Sequence, residues 1–207
     1  QEKRSSKLED TTDALFAGEP VPYAAIVCYP TSAGNVRPDY AYDAALSKFV
    51  PRMQRGNEPP LWADDHARYP VLLYSHGLSG SPLSREYMQT IALFASYGYV
   101  VVAPFHGDGR FDDVKVDGLS DLVSSIFGDG FRKAVELQAI RPLSLQAALD
   151  ALLADSNYRD HVDAGRVAGF GISLGAESLL LFSGAGLTTE LLPRLQSTQV
   201  MRDPRLR

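Results

Sequence analysis

The sequence predicts an α/β fold, a mostly parallel sheet with helices on both faces. Three observations predict it. Residues 71–75 (VLLYS), 99–103 (YVVVA) and 166–170 (RVAGF) are short, largely apolar runs, as expected of strands buried on both faces. Each run opens into a turn that carries glycine, at 76–80, 105–113 and 171–175. Each turn leads toward a segment whose apolar residues recur at helical spacing. Strand, turn and helix three times over means βαβ units. In such sheets the chemistry lies beyond the carboxyl ends of the strands, where all three turns fall.

In chain order, residues 1–20 read as a polar N-terminal arm and 21–207 as one domain. A first strand is expected at 23–29 (YAAIVCY), stopped by Pro30. Residues 31–69 form a long irregular insertion with Pro38, Pro51, Pro59 and Pro60 and a short helix near 42–50. After the 71–75 strand, Ser84 is placed to cap a helix whose face carries Tyr87, Ile91, Phe94 and Ala95 and which Gly98 ends. The 99–103 strand is ended by Pro104. A second long helix begins near Pro142, with Leu145, Leu149 and Leu152 on one stripe. The last strand, 166–170, feeds a helix over 173–182.

Composition narrows the function. The 207 residues are 45% hydrophobic and 22% charged, which fits an ordinary globular domain and not a disordered or fibrous chain. Acids outnumber Lys and Arg by 25 to 20, for a net charge of −5 with no basic cluster, which argues against a dedicated nucleic-acid binder. The longest apolar stretches are far too short for a transmembrane segment. Cys28 is the one cysteine and sits in an apolar run, so it reads as a buried thiol. The first residue is Gln1, which fits a processed exported protein or a trimmed cytosolic one. Location stays open, with secreted or periplasmic placed ahead of cytoplasmic.

The strongest chemical signal is Gly171-Ile172-Ser173-Leu174-Gly175 between a strand and a helix. A turn this sharp excludes side chains two positions either side of the serine, hence Gly171 and Gly175, and it lifts the Ser173 hydroxyl clear of the sheet as a nucleophile. Two other readings use the same residues. Gly169, Gly171 and Gly175 nearly spell a dinucleotide-binding fingerprint, but Leu174 stands where its third glycine belongs. The segment also fits a tight turn without chemistry. The second signal is His76-Gly77-Leu78 after the 71–75 strand. The backbone N–H groups of Leu78 and Leu174 are assigned as an oxyanion hole.

The remaining candidates have blander alternatives. His76 reads as a prop for its turn ahead of a catalytic base. His106 reads as pocket lining or turn support ahead of a base. Trp62, with Tyr40, Tyr42 and Leu61, is a possible pocket wall or simply covers a sheet edge. His66 sits in the insertion, and His161 precedes a strand at the end of the sheet opposite Ser173. Asp108, Asp112 and Asp113 match no metal-binding spacing, so no metal is expected.

With these motifs in view, the chain resembles the α/β-hydrolase superfamily, and within it the platelet-activating-factor acetylhydrolase and dienelactone-hydrolase-like serine esterases. The segments that carry the resemblance are CYPTSAG (28–34), YSHGLSGSPLSREY (74–87), ASYGYVVVAPFHGDG (95–109) and GRVAGFGISLGAES (165–178), within residues 21–182. The resemblance implies an α/β-hydrolase fold, no cofactor, and hydrolysis of a small ester or lipid-like substrate through an acyl-serine intermediate. Members of the superfamily place the triad in the order Ser, then Asp or Glu, then His. After Ser173 stand Glu177, Glu190 and Asp203, but no histidine. The expectation is therefore an N-terminal part of the fold, its base and acid supplied by a C-terminal segment or a second chain that completes the sheet. The alternatives are a catalytically incomplete binding or assembly protein, and recruitment of His106 or His76 as base.

Overall fold

The computed structural model describes residues 24–43, 48–54, 58–78, 80–106 and 130–185. In order they form β1 (Ala24–Cys28), β2 (Tyr40–Asp43), β3 (Lys48–Val50), β4 (Tyr69–Ser75), α1 (Arg85–Ser96), β5 (Val100–Phe105), α2 (Gly130–Ala154), β6 (Val162–Gly171) and α3 (Leu174–Phe182). Four strands make one sheet in the order β1-β5-β4-β6. β5 and β6 run parallel to β4, and β1 is antiparallel to β5. The architecture is α/β, as the sequence predicts.

Alternation along the strands sorts the core into two halves. Val71, Leu73, Val100 and Val102 face one side, where they pack with Leu145, Ala148, Leu149 and Leu152 of α2 and Leu179 of α3. Leu72, Tyr74, Val101 and Ala103 face the other, against Ile91 and Ala95 of α1. Continuous apolar runs in β4 and β5 are thus the consequence of helices on both faces. Each such side chain taken from water contributes about 1.5–3 kcal/mol. The stripe Leu145, Leu149 and Leu152 is buried as expected.

Several boundaries differ from the sequence reading. The helix expected near 42–50 is not found among the described residues of that stretch. Instead β2 and β3 pair as an antiparallel hairpin, Tyr40 opposite Val50 and Ala41 opposite Phe49, in keeping with the strand preference of aromatic and β-branched residues. Pro104 does not end its strand. It lies inside β5 opposite Ala25, beyond Val102 where the β4 ladder stops, so a missing N–H interrupts nothing on that side. The second long helix starts at Gly130, and Pro142 lies within it. A proline there leaves one carbonyl of the preceding turn without its helical donor, a cost that tertiary packing of the Leu145 stripe offsets.

β6 begins at Val162 because its first residues pair with the start of β4. The register then skips from Pro70↔Asp163 to Val71↔Val167. The extra residues are held by Asp163, whose carboxylate accepts from Gly165 N (3.0 Å) and Arg166 Nε (2.6 Å). Those bonds hold its pKa below the usual carboxylate value. Ser84 does occupy the N-cap position of α1, although its side chain makes no capping bond. Gly98, at φ +93°, follows the C-terminus of α1, where a left-handed residue suits glycine.

Candidate active site

The carboxyl ends of β4, β5 and β6 deliver His76, His106 and Ser173 to the same end of the sheet. Ser173 sits between β6 and α3 with φ 54° and ψ −124°. A non-glycine residue rarely takes this conformation, and holding it costs on the order of 1–3 kcal/mol. The surroundings impose it. Ile172 N donates to Ser75 O (3.2 Å), while Gly175 N and Ala176 N donate back to Ile172 O and Ser173 O (2.9 Å each). The flanking glycines are steric requirements. A Cβ on Gly171 would lie 2.5 Å from the Gly175 carbonyl carbon and 2.6 Å from Ala176 N. One on Gly175 would fall on the Ser75 carbonyl and 2.6 Å from His76 O. Gly169 serves packing, since a Cβ there would meet Leu179 at 2.9 Å. All three glycines are accounted for by close approach, and the dinucleotide reading gains nothing from them. Ser173 itself is exposed.

Beside the serine runs the turn after β4. A Cβ on Gly77 would be 3.7 Å from Ser173 Cβ and 3.5 Å from Ile172 O, so Gly77 and Ser173 are immediate neighbours. Leu174 is the first residue of α3, where the helix leaves N–H groups without intrahelical partners and its dipole favours negative charge.

The two histidines are structural supports in this geometry. His76 is buried, and its Nδ1 donates to Gly77 O at 2.8 Å. The His106 ring lies 4.8 Å from that of His76 and is also buried. Ser144 Oγ gives its proton to Arg141 O (2.8 Å) and so accepts from His106 Nδ1 at 2.6 Å. That leaves His106 Nε2 to accept from Ser75 Oγ at 2.8 Å. Both ring nitrogens are engaged, and burial, helped by the charge of Arg141, pushes the His106 pKa down to about 2. His106 thus has both ring nitrogens committed to Ser75 and Ser144.

Trp62 requires a correction. It lies at the amino end of the strands, away from Ser173, stacked on His161 (4.6 Å) and Tyr69 (5.7 Å) and packed into the core beside β4. Thr31 pairs with it as an isolated bridge, which draws the insertion across that end of the sheet. Leu61 is exposed, and Tyr40 lines a cavity of about 700 Å³ between β1, β3 and α1 that does not include Ser173. His66 is exposed in the insertion. Cys28 is partly buried in β1, and burial pushes its thiol up to about 12, which makes it a poor nucleophile. The side chain of Tyr42, and Asp108, Asp112, Asp113, Glu190 and Asp203, fall outside the described residues. Among the described residues no cluster could hold a metal ion, and no helix is long and apolar enough to cross a membrane.

Sequence reasoning missed Arg141. It is fully buried and donates to His76 O (2.7 Å) and Gly77 O (3.0 Å). The signal was available: 141, 145, 149 and 152 fall on one helical stripe, and an arginine on an apolar stripe needs buried partners. Starting the helix at Pro142 hid it.

Comparison with known proteins gives this chain a resemblance to α/β-hydrolase-like esterases. Residues 53–110 match the family Platelet-activating factor acetylhydrolase, isoform II. Among solved structures, a protein described as m3DLH is 28% identical, covering 60% of this chain and 47% of its own, with a TM-score of 0.37. The ferulic acid esterase from Streptomyces cinnamoneus is 16% identical, covering 79% of this chain and 55% of its own, with a TM-score of 0.44. The chain thus spans about half the length of these proteins. Comparison with curated protein sequences returns no match.

Proposed function

We propose that this chain is the nucleophile-bearing part of a serine hydrolase that cleaves a small carboxylic ester or lipid-like substrate. Ser173 Oγ attacks the ester carbonyl as a base removes its proton. The carbonyl π electrons move onto oxygen, where the N–H groups of Leu78 and Leu174 stabilise the charge. Collapse expels the alcohol, which takes the proton from the base, and leaves an acyl-serine. Water then repeats the sequence and releases the acid. The scheme calls for no cofactor.

The observation that carries the reading is the Ser173 backbone. A conformation this costly, enforced by glycines that admit no side chain, is explained by the need to present a hydroxyl. We place the base and its acid partner outside the described residues, on a C-terminal segment or second chain that also completes the sheet. Support comes from β6, which pairs with β4 alone among the described strands. Val167, Phe170 and Ile172 are exposed apolar residues along it and just past its end. An apolar edge of this kind invites a partner strand.

A fluorophosphonate applied to the full-length protein tests the reading. It should phosphonylate Ser173 and no other serine, and Ser173→Ala should lower turnover by roughly 10⁴ to 10⁶. A label mapped outside 171–175 removes the nucleophile assignment. Absence of Ser173-dependent hydrolysis leaves the binding or assembly role.

A further inference from the structure

Gly77 O accepts from three donors: His76 Nδ1 (2.8 Å), Arg141 Nη2 (3.0 Å) and Gly80 N (3.1 Å). One carbonyl rarely needs so many. The neighbouring carbonyl of His76 takes the other arm of the same guanidinium, Arg141 Nη1, at 2.7 Å. The planar fork of arginine suits two oxygens held in fixed relation. Arg141 and His76 are both buried, so the two carbonyls point into the protein.

A trans peptide sets the direction of its N–H once its C=O is fixed, because the two point opposite ways. Gly77 O and Leu78 N–H belong to one peptide unit. Pulling the oxygen inward therefore turns Leu78 N–H the opposite way, in a turn whose Gly77 lies beside Ser173. Gly77 has no side chain to restrict its backbone, so the peptide has little orientation of its own. The donors must supply it.

We propose that Arg141 is a positioning residue of the site: with His76 it clamps the Gly77 carbonyl and so aims Leu78 N–H at the oxyanion of the reacting ester. The inference rests on the ester-hydrolase reading and deepens it. Arg141 touches no substrate. It preorganises a donor whose worth lies in being fixed before the charge develops.

The test compares full-length wild type, Arg141→Gln and Arg141→Lys, each checked for native folding by near-UV circular dichroism. The substrate is p-nitrophenyl butyrate. An alkylboronic acid, which forms a tetrahedral anion on the serine, reports the oxyanion site. For Arg141→Gln, kcat should fall about 10²- to 10³-fold, with KM within about threefold, as when one oxyanion donor is lost. Boronate affinity should fall in parallel. Arg141→Lys, whose ammonium cannot fork, should restore part of both. A folded Arg141→Gln with wild-type kcat and boronate affinity overturns the clamp, as does a rise in KM alone. Should Arg141→Gln not fold, Arg141→Lys decides: lowered kcat at unchanged KM supports the clamp, and wild-type kcat overturns it. A wild type without serine-dependent hydrolysis defeats the esterase reading alone. The crystallographic orientation of the 77–78 peptide in the Arg141 variants then settles the clamp, turned supporting it and unchanged overturning it.

Discussion

Replacing Gly175 with alanine adds one methyl group at the tightest point of the site. That carbon would sit 2.5 Å from the Ser75 carbonyl carbon and 2.6 Å from His76 O, and closer still to Ser75 O. Carbon–oxygen contacts relax at about 3.3 Å or more, so the overlap is on the order of 0.7 Å with His76 O and exceeds about 1 Å with Ser75 O. No side chain can swing away, because every atom in the way is backbone at the end of β4 or the start of the Gly77 turn. Overpacking of this kind costs about 1–3 kcal/mol. At about 2 kcal/mol, a domain of this size should melt roughly 4–8 °C lower. Relief of the overlap moves the Gly77 turn away from Ser173 by nearly the same distance, and misplacement near 1 Å costs about 10²-fold in rate. The assay is the fluorophosphonate labelling rate of Ser173 beside a thermal melt. Gly98→Ala is the control: its φ is +93° but nothing lies within 4 Å, so it should cost about 1–2 kcal/mol in strain and leave labelling unchanged. A Gly175→Ala protein that melts and labels like wild type would refute the steric account of the 171–175 turn.

Trp62→Ala should lower stability by about 3–5 kcal/mol through the cavity left among Tyr29, Tyr69 and His161, and calorimetry should show this while the substrate chain-length profile of the folded fraction stays the same. The His106 pKa is depressed to about 2, so the unfolded chain binds a proton there that the folded chain refuses. His106 therefore stabilises the fold above about pH 6.5, and that contribution is lost as pH falls from there toward 2. Chemical denaturation at stepped pH should show stability falling by up to about 1.4 kcal/mol per pH unit in that window, and His106→Gln should flatten the slope.

Much of the fold was legible because period-two alternation and helical stripes report burial directly. Val71, Leu73, Val100 and Val102 needed partners on one face, Leu72 and Val101 on the other, and both sets found helices. The sharp turn between β6 and α3 was legible because a steric rule fixes glycine at 171 and 175. What sequence could not show was determined by long-range packing. Trp62 reads as a pocket wall or as cover for a sheet edge, yet the bridge to Thr31 and the rings of Tyr69 and His161 draw it into the core. Local rules place Pro104 at a strand end and Pro142 at a helix start, but neighbouring strands and helices hold the chain regular through both. Arg141 was invisible for a related reason, since its partners are main-chain carbonyls more than sixty residues earlier, which no side-chain pattern announces.

The backbone angle at Ser173 has a consequence for selection. Alanine at this position inherits the same unfavourable φ, but glycine does not. A Ser173→Gly chain should therefore outlast its parent in heat by as much as the strain it sheds, on the order of 1–3 kcal/mol. A laboratory lineage screened for heat resistance and nothing else would discard this serine early. On the proposed reading, one that must also turn over substrate would keep it and gather its stabilising changes elsewhere, in places such as the surface of α1.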